Sequence, residues 1–234
     1  MTTHPFLLVQ EVDTELDAIG HRRPRLPEVT AHQRDADAVA AINAQIAAAS
    51  ARIDAATAAI AAAEEASATL VAKRTRLEGQ LKTVIAPREA EALMNQIATL
   101  NAQRGEHDEA ELVALDEQAA AEGDLAEAQA QLPELEAALA SSSAALAAAT
   151  AALDAEAAAL QARRVELVAG LDAGALGAYE RARKQFGGVG VAHLHGSHCS
   201  GCHMDLSPAE LDIVRRVPEG ELGECPQCGR MLVR

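Results

Sequence analysis

Four cysteines, Cys199, Cys202, Cys225 and Cys228, form two Cys-x-x-Cys pairs with 22 residues between them. A Cys-x-x-Cys turn brings two sulfurs close enough to share one metal ion. Two such turns complete the tetrahedral four-thiolate set that Zn²⁺ favours. In the second pair, Gly229 follows Cys225-Pro226-Gln227-Cys228 and lets backbone N–H groups turn toward the thiolates. Disulfides are one alternative, but they belong to oxidising compartments, and the opening Met1–Gln10 has neither the basic start nor the long apolar core of a secretory leader. A redox dithiol is another, but it would follow a strand of a βαβ unit and would need no second copy. The spacing therefore predicts one structural Zn²⁺ per chain.

Four thiolates leave no coordination position for water or substrate, so such an ion holds a small segment folded and does no chemistry. Four histidines crowd the cysteines, His193, His195, His198 and His203. They are read as surface or supporting groups, with metal ligation as the alternative. The chain has no glycine-rich phosphate loop and no Ser/His/Asp grouping, which argues against an enzyme and against a small-molecule substrate.

The elements that hold this site must be built almost without large side chains. Alanine occupies 56 of 234 positions, Trp is absent, and there are one Tyr and two Phe. Such a mixture with sustained periodicity reads as long helices. Charges interrupt every apolar stretch, so no membrane span and a cytoplasmic location are expected. The net charge of −15 lies wholly on residues 1–162, with 26 acids against 11 bases, whereas residues 163–234 carry nine of each.

From Val39, apolar residues recur three and four apart through Ile42, Ile46, Ala49, Ile53, Ala56, Ile60, Ala63, Leu70, Leu77, Leu81 and Val84. That is a heptad with β-branched residues at one seam position and mostly alanine at the other, interrupted only by Ser67 and Arg74. It predicts a helix over about 31–84. Pro87 breaks it and opens a second helix at its first turn. Leu93, Ile97 and Leu100 mark the first part of that helix. Leucines seven apart, from Leu125 to Leu167, mark the later part. Between them the register is expected to slip from Arg104, His107 and Glu111 to Leu112 and Leu115, and Pro133 is expected to kink the helix. Two long helices joined by a few residues return antiparallel, giving a helical hairpin, with a parallel zipper dimer as the alternative.

The fold class is thus mainly α: a long antiparallel coiled-coil hairpin with a small C-terminal zinc ribbon, divided at residues 1–186 and 187–234. Phe6–Ile19 reads as a short third helix at the base, leaving through a basic loop at His21–Pro27. In the ribbon, Ser207 and Pro208 cap a short helix to about Arg216, Pro218–Gly220 turns the chain, and Leu222 with Met231–Val233 supplies strands.

Several segments together resemble a bacterial family of coiled-coil proteins with a C-terminal four-cysteine zinc ribbon. They are Leu16, Asp17, Arg22, Arg23, Leu26 and Pro27; Pro87 and Glu89; Tyr179–Arg181 and Gly188–Ala192; and Cys199–Met204 with Cys225–Leu232. Members include a flagellar regulator that binds messenger RNA and a protein that binds an alternative sigma factor. The resemblance implies a kinked hairpin carrying the ribbon and a role in gene expression.

Two binding functions follow. An RNA-binding adaptor would use Arg22, Arg23, Arg25, Arg181, Arg183 and Lys184 as a phosphate-contacting patch at the base. A protein-interaction module would present the acidic rod or the ribbon to a sigma factor, RNA polymerase or the ribosome.

Overall fold

The computed structural model describes residues 4–218 and 221–234. Its chain order is α1 (Pro5–Arg22), a 3₁₀ turn (Arg23–Arg25), α2 (Pro27–Leu81), α3 (Pro87–Val168), α4 (Ala173–Gln185), β1 (Val191–His195), β2 (His198–Cys199), α5 (Pro208–Arg215), β3 (Gly223–Glu224) and β4 (Met231–Val233). The chain divides into two compact units, residues 32–142 and residues 1–31 with 143–234.

The first unit is the hairpin, and alanine explains how closely its helices pack. Ala49, Ala56 and Ala63 of α2 are buried, as are Ala114, Ala121 and Ala128 of α3, while Ile46, Ile53 and Ile60 are half-buried. Small seam residues let the backbones approach, and the isoleucines close over the gap. Thr57 meets Gln118, Ser67 meets Asp108, and Arg74 meets Asn101. Each step forward along α2 is matched by an equal step back along α3, which is an antiparallel pairing in constant register.

That constancy corrects the expected slip. Arg104, His107 and Glu111 stay at the half-buried inward positions, and Leu112 and Leu115 face solvent at 63% and 41% exposure. The polar seam residues of α2 explain why. Ser67 donates to Asp108 at 3.1 Å, and Asp108 also pairs with Arg104 at 3.2 Å, so polar faces polar across the seam. Helix α3 runs unbroken through Pro133.

Two boundaries differ from expectation. Helix α2 covers Pro27–Leu81, starting earlier and stopping sooner than 31–84. The stretch foreseen as a basic loop is the last turn of α1 followed by a 3₁₀ turn. The long second helix stops at Val168, and α4 begins anew with the Asp172 carboxylate accepting the Ala175 N–H at 2.8 Å. The turn foreseen at Pro218–Gly220 falls partly on residues 219–220, outside the described residues. The expectation that no stretch is apolar enough to span a membrane also needs correcting. Both long helical stretches contain an 18-residue window of mean hydropathy 1.3. Alanine raises the index while offering little apolar area to bury.

In the second unit, a four-stranded sheet runs in the order β2-β1-β4-β3. Strands β1 and β4 pair in parallel, with Ala192 opposite Leu232, and the connection between them carries both cysteine pairs and α5. Alternate residues face opposite ways. Val191 and Val233 join Phe6, Leu7, Val9 and Tyr179 in one core. Ala192 and Leu232 join Cys199, Cys225, Leu206 and Val214 in another. The sheet is therefore shared between the ribbon and the helices α1 and α4.

Candidate metal centre and the base that carries it

The two cysteine pairs fold into the same local structure. In the first, the His203 N–H donates to the Cys199 carbonyl at 2.8 Å and the Cys199 N–H to the Met204 carbonyl at 3.0 Å. In the second, the Gly229 N–H donates to the Cys225 carbonyl and the Cys225 N–H to the Arg230 carbonyl, both at 2.8 Å. Each turn closes through a residue of positive φ just after its second cysteine, 59° at His203 and 75° at Gly229. Glycine meets that demand without strain and histidine less readily, so the second pair was the easier to read in the sequence.

The four sulfurs lie within 4.8 Å of one another, and none is in a disulfide. A tetrahedral ion with bonds of about 2.3 Å separates its sulfurs by about 3.8 Å, so the arrangement fits Zn²⁺. Burial pushes the Cys225 thiol up to about 12 and raises Cys202 as well. Desolvation is the largest single influence at Cys228 and opposes ionisation, but hydrogen bonds from the Arg230 backbone and side chain, with those from Cys225 and Cys202, together lower that thiol. Thiolates packed together out of water need a cation among them. The ribbon is thus a four-thiolate centre for one structural Zn²⁺.

The histidines do not enter this set. Among the described residues, the group able to hold a metal is the four cysteines alone. His193 stacks on His195 at 5.2 Å between ring centroids, and His198 lies beside His203 at 5.9 Å, with its Nδ1 3.3 Å from Asp205.

Helix α5 supports the centre. Ser207 and Glu210 form a reciprocal capping box, and Glu210 also accepts from the Gln227 side chain inside the second cysteine turn. Arg230 lies over the Phe186 ring at 4.7 Å and donates to the Val189 carbonyl at 3.0 Å, tying that turn to the segment after α4.

Two buried polar residues of α1 organise the base, and the sequence reading missed them both. Asp13, 1% exposed, accepts from the Tyr179 hydroxyl at 2.8 Å and from Arg164 at 2.7 Å. Gln10 donates to the Gly188 carbonyl and accepts from the Gly190 N–H, both at 2.7 Å. Gly190 is required here, because a Cβ would stand 2.9 Å from the Tyr179 carbonyl. Gln10 and Asp13 look from sequence like polar breaks in an apolar helix. Their spacing of three, on the face shared with Phe6 and Val9, was the available signal.

The six basic residues predicted as a phosphate-contacting patch divide into three sets. Arg22 pairs with Glu156 at 3.3 Å and Arg23 with Asp154, all of them substantially exposed. Arg183 pairs with Asp17 at 2.7 Å and lies 3.7 Å from Asp13, half-buried between α4 and α1. Arg25, Arg181 and Lys184 are exposed.

The fold and the centre together define a coiled-coil hairpin protein with a C-terminal four-cysteine zinc ribbon. The family model of the CT398-like coiled coil hairpin domain matches residues 9–187, and that of the C4-type zinc ribbon domain matches residues 198–232. The chain belongs to the CT398-like coiled-coil hairpin family. CT398 of Chlamydia trachomatis superposes with a TM-score of 0.83 at 20% identity, covering 98% of this chain and 95% of that one. A Mycobacterium smegmatis structure gives 0.73 at 23% identity, covering 98% and 96%. The HP0958 protein of Helicobacter pylori gives 0.65 at 15%, covering 98% and 95%. At these identities the likeness is one of fold. Two uncharacterised proteins of Mycobacterium tuberculosis, from strains CDC 1551 and H37Rv, are each 38% identical over 72 residues. That stretch is 31% of this chain and spans only 29% of those relatives.

Proposed function

We propose that this protein is a non-enzymatic, cytoplasmic adaptor in gene-expression regulation that binds RNA through the base beside its zinc ribbon. The observation that carries this reading is the exposure of Arg25, Arg181 and Lys184, none of them in an ion pair among the described residues. Arg22 and Arg23 add to it, because exposed ion pairs are worth little and exchange readily for phosphate. Arg183, held between Asp13 and Asp17, positions α4 and contributes least to binding. The base holds few exposed aromatics for stacking, so contact is with the phosphate backbone more than with base sequence.

A second reading is favoured by a different observation. Leu112 and Val113 of α3 stand 63% and 70% exposed within 106–117, a stretch holding six acids and no Lys or Arg. An apolar patch ringed by acids suits a basic protein surface, and a sigma factor, RNA polymerase or the ribosome would be the partner. Capture from lysate with and without nuclease separates the two. Loss of bound material on nuclease treatment supports RNA. Retention of one protein, with no RNA held by the pure chain, overturns it.

A further inference from the structure

The cations of the hairpin unit are gathered at one end. Residues 32–142 carry eight Lys and Arg, and six of them lie within 73–104, where there are only three acids. The rest of that unit has sixteen acids and two bases, Arg34 and Arg52. Arg34 pairs with Asp35, and Arg52 is held by Glu117 and Asp124. At the turn end, Arg74 pairs with Glu78 and Arg104 with Asp108. Lys73, Arg76, Lys82 and Arg88 remain exposed, with no ion pair among the described residues.

A cleft of about 560 Å³ opens between the helices at the same end, lined by Lys73, Arg76, Gln80, Asn95, Gln96 and Thr99 over Leu77 and Leu100. Two cations stand on one wall, and amide and hydroxyl groups complete the lining. Cations with neutral donors are the groups that meet phosphate and sugar oxygens, and leucines offer an apolar floor. An acidic peptide would need only the cations. The −14 stretch behind them repels a polyanion from the rest of the hairpin, so binding is confined to this end.

We infer that the turn end of the hairpin is a second, separate anion-binding site that takes a nucleic-acid phosphodiester in the Lys73–Thr99 cleft. It is independent of the base: different residues, a different unit, and its own variants.

The test uses the full zinc-loaded chain and a labelled short single-stranded RNA, read by fluorescence anisotropy. Both cations are exposed on helix α2, so Lys73→Gln with Arg76→Gln keeps helicity and thermal midpoint, checked by circular dichroism. With Arg181→Gln and Lys184→Gln already present, so that the turn end is the component read, adding the two tip changes should weaken binding about tenfold at low salt and reduce the log–log salt slope by roughly 0.7 for each cation removed. Arg181→Gln with Lys184→Gln should leave that component in place. Affinity and slope unmoved by the tip changes in that background overturn the inference. Loss in the tip variant with no loss in the base variant supports it and overturns the base as the RNA site. Polyglutamate or anionic-lipid vesicles competing as well as RNA overturns the assignment to nucleic acid.

Discussion

The hydroxyl of Tyr179 donates to Oδ2 of Asp13 at 2.8 Å, joining α4 to α1 across 166 residues of sequence with both side chains buried. Arg164 of α3 holds the other carboxylate oxygen at 2.7 Å, so one acid ties three helices together. Tyr179→Phe should destabilise this unit by about 1–2 kcal/mol, the loss of one buried hydrogen bond to a carboxylate. Asp13→Ala, which leaves the buried Tyr179 hydroxyl without its partner and Arg164 with Glu180 alone, should cost about 3 kcal/mol or more. Chemical denaturation of the two variants checks the order, and equal losses would contradict it.

Burial, and then the Asp13 carboxylate, push the Tyr179 phenol well above its ordinary value. The folded value lies above the unfolded one, so the stabilisation is complete below about pH 10 and is lost as pH rises beyond it. Tyr179 is the chain's one tyrosine and there is no tryptophan, so near-ultraviolet absorbance reads this group alone. Tyrosinate should form only together with loss of structure. An ordinary titration of the folded protein would contradict the burial.

Replacing Cys225 by Ser removes one of four ligands and should abolish stoichiometric zinc, measured by elemental analysis. Because β1 and β4 share a core with Phe6, Val9 and Tyr179, the loss should spread to α1 and α4. Residues 32–142 have their own contacts and should keep their helicity. Hydrogen exchange resolves the two units, and uniform loosening would contradict their independence.

Ala56 is 5% exposed in the α2 seam, in a register that also buries Ala121 completely. Ala56→Leu should overpack the pair and cost about 1–3 kcal/mol. Leu112→Ala, on an exposed side chain, should change stability by no more than about 0.5 kcal/mol. The opposite ranking would restore the register slip that the leucines suggest.

What was legible in the sequence was what local chemistry decides. The cysteine turns, the Ser207–Glu210 capping box and the opening of a helix at Pro87 each depend on a few adjacent residues. The hairpin followed from the α2 seam and the short connection. The parallel pairing of β1 with β4 was hidden, because its partners lie about 40 residues apart and three residues give no periodicity. The inward placing of Arg104, His107 and Glu111 was also hidden. Its cause, Ser67 and Arg74 on the opposite helix, shows only once the helices are paired. Asp13 and Gln10 were missed for the same reason, since each is explained by residues more than 150 positions away. The pairing of Arg22, Arg23 and Arg183 with acids of α1 and α3 was hidden in the same way.

RNA binding at the base is tested most directly by titrating labelled single-stranded RNA with the full zinc-loaded chain across a salt series, wild type against Arg25→Glu, Arg181→Glu, Lys184→Glu. Wild type should bind at low salt with a steep salt slope. The triple variant should bind much more weakly, with the slope reduced by roughly 0.7 or more for each cation lost. No binding by wild type at low salt, or affinity and slope unchanged in the triple variant, would contradict it.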